Sequence, residues 1–318
     1  MSWATPDPRP IAERILVTGA AGFLGASAVR RLLDRGFAVE AVVHPRSDRW
    51  RLHDLSLPVH ALDLSDAVAV GRLVGSVRPA YVLHLAAHGA YPWQEDARAI
   101  VETNVLGSHH VFRAAAGASV RLVVNAGSSS EYGYRDEPMR EADRIEPNSV
   151  YAVAKAAQTH LCHLVSVETG CPMVTFRLFS VYGPWEEPRR LVPTAIRRAR
   201  AGEPLDMVGP DTARDFVYVE DVLDAFTDFD RLTGCHGEVF NLGSGTQTTM
   251  RDFVAALETA LGTRVQVRWS TLLPRRWDAT RWQADASKAR QCLGWTPRHD
   301  LVAGLAATAR WMVDHAGV

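Results

Sequence analysis

Tyr151 and Lys155 stand four residues apart in VYAVAKAAQTHLCHL, a stretch whose pattern predicts a helix, so both side chains leave one face toward a common ligand. A phenol beside an ammonium can give or take the proton of a carbinol while hydride moves at the same carbon. The ammonium also lowers the phenol's pKa and can hold a nicotinamide ribose. Lysine is rare in this chain: of 35 basic residues only Lys155 and Lys288 are lysines. A guanidinium is larger and differently shaped, so a lysine kept at this spacing argues for a site that needs a compact ammonium. Upstream, Gly127 is followed by Ser128, Ser129 and Ser130 directly after a strand-like run. Their hydroxyls should emerge at the carboxyl edge of a sheet, Ser128 at the reacting oxygen and its neighbours against the substrate.

A second constellation supplies the hydride partner. The apolar run ILVTG leads into Gly19, Gly22 and Gly25, with Phe23 and Leu24 opening a helix. Glycine permits a tight turn and close backbone approach, and helix amides with their positive end meet a dinucleotide pyrophosphate. At the end of the second strand, where an NAD site offers a carboxylate to the ribose hydroxyls, the chain reads His44, Pro45, Arg46. A basic residue there suits a 2′-phosphate, so the expected cofactor is NADP(H), with NAD(H) as the alternative. Asp63 and Leu64, after the third strand, are placed to meet adenine.

These groups require a scaffold. From Arg14 onward, short apolar runs alternate with amphipathic stretches, the pattern of parallel strands joined by helical crossovers. The expected fold is α/β: a Rossmann doubly wound parallel sheet with a smaller mixed α/β C-terminal substrate lobe. The dinucleotide-binding domain is assigned to 1–179 with a return segment at about 215–245, and the substrate lobe to 180–214 and 246–318.

Composition narrows the partners. The 318 residues carry 35 basic and 36 acidic side chains, so no global field draws in nucleic acid or a membrane. No apolar run approaches the roughly 20 residues that span a bilayer. The start is Pro-rich and polar and reads as a frayed tail rather than a signal. The four cysteines, Cys162, Cys171, Cys235 and Cys292, form no close pair and read as buried thiols of a cytoplasmic protein, with no metal site.

Taken together, the motifs resemble the extended short-chain dehydrogenase/reductase family, in its nucleotide-sugar epimerase, dehydratase and ketoreductase branch. The likeness runs through TGAAGFLG at 18–25, HLAA at 84–87, TNVLGS at 103–108, GSSSEYG at 127–133, YAVAK at 151–155, RLFSVYGP at 177–184, RDFVYVED at 214–221, NLGSG at 241–245 and LGWTP at 293–297. The resemblance implies a triad of Ser128, Tyr151 and Lys155. Leu85, Ala86, Ala87, Asn104, Leu178 and Val181 would lie along the cofactor, and His88, Ser180, Arg214, Arg276 and Arg281 would meet a nucleotide-diphosphate sugar. Planar donors suit phosphate. The resemblance also implies a homodimer paired through helices near 98–117 and 150–169.

Two departures bear on the reaction. Sugar-nucleotide 4,6-dehydratases place an acid two residues before the Tyr-Gly of the serine loop. Here that position is Ser130, and Glu131 comes one later, which disfavours dehydration. The usual Asn before Val-Tyr-Gly-Pro is Ser180. With the basic Arg46, the leading expectation is NADPH-dependent reduction of a 4-keto sugar nucleotide, with an NAD-dependent 4-epimerase as the alternative. A non-catalytic NADP(H)-binding regulator is a remote third reading, since such binders lose the Tyr/Lys pair.

Overall fold

The computed structural model describes residues 13–272 and 281–315. Strands β1 (Arg14–Thr18), β2 (Ala38–Val43), β3 (Val59–Ala61), β4 (Tyr81–His84), β5 (Leu122–Ser128), β6 (Met173–Leu178) and the segment Val239–Leu242 form one seven-stranded sheet. All its pairings are parallel, in the order Val239–Leu242, β6, β5, β4, β1, β2, β3. Neighbouring residues face opposite layers: Ile15, Val17, Leu83, Val124 and Phe176 pack into one apolar cluster, Leu16, Val82 and Val123 into another. That two-sided burial accounts for the continuous apolar runs in the sequence. The doubly wound sheet is the fold the alternation predicted.

Order reverses between β1 and β4, so the crevice at their carboxyl ends is the natural ligand position. Helix α1 (Phe23–Asp34) opens there, α2 (Ala67–Val77) leads to β4, and α3 (Ala97–Val101) with α4 (Ser108–Gly117) covers the sheet beside α5 (Val150–Thr169). The stretch read as one helix near 98–117 is interrupted: Glu102–Gly107 is a π-helical turn. Beyond β6, Ser180–Tyr182 pairs with Phe216–Tyr218, and smaller two-stranded pairings join 205–206 to 267–268 and 213–214 to 248–249.

Two buried aspartates stitch these segments together. Asp215 accepts from the amides of Ser244, Gly245 and Ala284, and Asp221 from the amide of His299. This explains RDFVYVED and NLGSG in structural terms: Asp215 holds distant loops beside the strand that carries Arg214, while Asp221 holds His299, and the Trp295 of LGWTP donates to the Asp221 carbonyl. The cysteine expectation needs correction. Cys162 and Cys171 are buried, but Cys235 is partly exposed and Cys292 exposed, because the helix Ser287–Leu293 turns Ala289 and Leu293, not Cys292, to the core. Among the described residues no helix is long and apolar enough to cross a membrane.

Candidate active site

The glycine loop is dictated by contact. A methyl on Gly19, which has φ 68°, would lie 2.6 Å from the Ala86 amide nitrogen, and one on Gly25 only 2.1 Å from the Gly19 carbonyl oxygen. Gly22 is the N-cap of α1 and no side chain caps that helix, so its first-turn amides are offered to a ligand. Thr18 Oγ1 accepts from the amides of Leu85 and Ala86, fixing the loop after β4 against β1. Behind it, His84 bridges Thr18 and Ser108, each at 2.8 Å. Burial lowers its pKa to about 3, so it is a neutral structural link.

The cleft, of about 630 Å³, is lined by Gly19, Gly22, Phe23, Leu24, Gly25, Leu85, Ala87, Leu178 and Val181 on the dinucleotide side, and by Ser128, Ser129, Ser130, Tyr151, Lys155, Ser180 and Arg214 toward the substrate side. Ser128 ends β5 and lines the cleft beside Tyr151. Burial pushes the phenol up to about 12, and Ser128 works in the opposite direction. Lys155 is fully buried and brought down to about 8 by desolvation, with Glu131 opposing. Its ammonium donates to Ala126 O on β5 and to Gln158 Oε1 on α5. Lys155 is not among the groups that shift the phenol, so the expected lowering of the tyrosine pKa is not seen.

Other expected positions lie outside the cleft lining. Asn104, in the π-helical turn and fully buried, accepts from the His88 amide at 2.8 Å and donates to its carbonyl at 2.7 Å, pinning the loop after β4. Asp63 accepts from Ser65 and faces His44 at 3.6 Å, Leu64 packs under Gly107, and Arg46 is exposed beyond this pair. Arg281 donates to Asp136 O, and Arg276 falls outside the described residues.

Glu131 is the centre of the serine loop. It is fully buried, accepts from the Ser128 amide at 2.8 Å and Thr159 Oγ1 at 3.0 Å, and pairs with Arg177 at 2.8 Å. Its oxygens are committed, so it is a capping and positioning acid with nothing left for removing water from a sugar. Asn148, Glu186, Arg190 and Tyr91 also line the cleft. The last three fall in the segments 88–93 and 185–190, whose aromatic and basic residues mark them in the sequence as shaping the substrate pocket, though no spacing rule singles out the individual residues; Asn148 carries no such mark. Among the described residues no group of three or more His, Cys, Asp or Glu could hold a metal ion.

A glycine loop at the switch point of a parallel sheet, with Ser128, Tyr151 and Lys155 across the same cleft, defines an extended short-chain dehydrogenase/reductase enzyme. Residues 15–243 match the NAD dependent epimerase/dehydratase family, and the chain belongs to it. It is 30% identical to UDP-glucuronate 4-epimerase 1 of Arabidopsis thaliana over 95% of this chain and 77% of that one. With the UDP-glucose 4-epimerase of Mycolicibacterium smegmatis it shares 32% identity over 94% and 98%. Among solved structures, MoeE5 in complex with UDP-glucose and NAD superposes with a TM-score of 0.83 at 30% identity, covering 96% of this chain and all of that one.

Proposed function

We propose that the protein is an NAD-dependent 4-epimerase of a UDP-linked hexose. The observation that carries this reading is the Ser128, Tyr151 and Lys155 set facing the glycine loop across one cleft, in a chain whose relatives are UDP-sugar 4-epimerases. The reductase expectation rested on Arg46, which is exposed and lines no part of the cleft, and the neighbouring structure holds NAD. NAD therefore displaces NADP(H) as the proposed cofactor. The uncapped start of α1 and the glycines without room for side chains fit a pyrophosphate, and Leu85, Ala87, Leu178 and Val181 give the apolar walls a nicotinamide needs.

Bound NAD supplies a reversible hydride acceptor at the sugar C4. Everything else falls to the chain. Tyr151 takes the proton of the 4-hydroxyl and returns it to the other epimer, Ser128 steadies the oxygen, and Lys155 holds the tyrosine's surroundings positive. Ser129, Ser130 and Ser180 offer hydroxyls to the sugar, and Arg214 a guanidinium to the diphosphate. NMR of UDP-glucose, UDP-galactose and their uronates incubated with protein and NAD should show conversion at C4 without net NADH. Stoichiometric consumption of NADPH with a 4-keto sugar would replace this reading by the reductase.

A homodimer is also proposed, through the exposed apolar faces of Val101, Leu106, Val150, Val153, Leu164 and Val167 on the α3–α4 and α5 helices. Light scattering at micromolar concentration should give twice the chain mass; a monomer would remove the proposal.

A further inference from the structure

One acid in the cleft has no task in this scheme. Glu186 follows the turn through Gly183 and Trp185, where Trp185 has φ 69°, and its side chain is 5% exposed. One carboxylate oxygen accepts from Arg190 Nε at 3.4 Å. The other is buried and meets no donor. Asn148 Nδ2, in the same lining, is also buried and without an acceptor. Buried polar atoms are paired in folded proteins, so the unpaired acceptor of Glu186 in a ligand cleft calls for a ligand that offers a donor, as a hydroxyl does.

The position is close to the chemistry. The charge of Arg190 and the phenol of Tyr91 both act on Tyr151, and Glu186 acts on Tyr91 as well as pairing with Arg190. Burial pushes the Glu186 carboxyl up to about 7, with Arg190 opposing, so the group is an acceptor in mildly alkaline solution.

We propose that Glu186, backed by Arg190, receives a hydrogen bond from the C6 hydroxyl of the sugar and so selects a neutral hexose over a hexuronate. A uronate carboxylate has no proton to give at that position and brings a second negative charge beside a buried one. The identity of the epimerases named uronate-specific among the relatives therefore does not transfer at this position. This inference rests on the reading of the cleft as a UDP-sugar site.

The test is calorimetric titration of the NAD-loaded protein with UDP, UDP-glucose and UDP-glucuronate at about pH 8.5, where the carboxyl is ionised. UDP-glucose should bind about tenfold or more tighter than UDP-glucuronate, and Glu186→Gln should leave UDP affinity unchanged while shrinking that ratio by about tenfold. Equal affinities in the native protein, or a ratio unmoved by the substitution, would overturn it. The native ratio decides even if the variant fails to fold. A preserved preference without any 4-epimer in the NMR assay sinks the epimerase reading alone, and failure of all three ligands to bind sinks both.

Discussion

Replacing Glu131 by Gln isolates the serine loop's dependence on one buried charge. The native carboxylate accepts from the Ser128 amide, Thr159 Oγ1 and Arg177 Nε, with no exposure of its own and an Arg177 side chain only 5% exposed. If the glutamine oxygen keeps Ser128 and Thr159, its amide NH2 must face the Arg177 guanidinium, donor against donor. The opposite orientation leaves Ser128 and Thr159 without an acceptor. Either way a buried charge loses its counter-charge, and removing one partner of such a pair costs about 3–5 kcal/mol. Urea unfolding followed by tryptophan fluorescence should show that loss, and kcat should fall because the Ser128 hydroxyl is no longer held at the end of β5. Pairing Glu131→Gln with Arg177→Met removes the orphaned cation and should recover much of the deficit. A single substitution costing less than about 1 kcal/mol would refute the assignment, since that is the range of an exposed pair.

Gly25→Ala places a methyl 2.1 Å from the Gly19 carbonyl oxygen, so NAD affinity should fall by about a hundredfold or the chain should not fold, and unchanged NAD titration would show that the loop is looser than its contacts imply. Glu186→Gln should stabilise the protein in a pH-dependent way. A carboxyl raised to about 7 from 4.5 gives stability that is complete below about pH 4.5 and lost as pH rises through about 7. The glutamine variant should therefore gain on the native protein by up to about 3 kcal/mol between pH 5 and 8 in paired urea titrations, and a constant difference would contradict the buried, bare oxygen.

The parallel sheet was legible because both faces are buried, which writes apolar runs at regular intervals, and the glycine loop because sterics leave no other residue at Gly19 and Gly25. Tyr151 and Lys155 were legible as a pair because helix geometry puts a four-residue spacing on one face, and Ser128 because it ends a strand at the sheet's carboxyl edge; the family resemblance is what joined the three. Cofactor choice at Arg46 is not legible in the same way: a loop residue's identity does not say what its exposed side chain meets, and the similar solved structure holds NAD. Asn104 shows a subtler failure, since its position was predicted against the cofactor while the side chain is consumed by both backbone groups of His88. Asn148 left no signal and Glu186 only that of its loop, because what marks the two is a missing partner, a property of the folded surroundings.

The same surroundings set a condition on catalysis. Burial raises the Tyr151 phenol to about 12, away from the range a general base needs. Lys155 does not relieve this while its ammonium donates to Ala126 and Gln158. If Tyr151 is the base proposed above, positive charge beside it, such as bound NAD would bring, has to lower its pKa. The difference in tyrosinate absorbance between native protein and Tyr151→Phe, titrated with and without NAD, reads it directly. Ionisation should lie above about pH 11 without NAD and move toward neutrality with it. A phenol that already titrates near pH 7 in the free protein would mean that burial does not govern Tyr151 and that the triad is charged before any ligand binds.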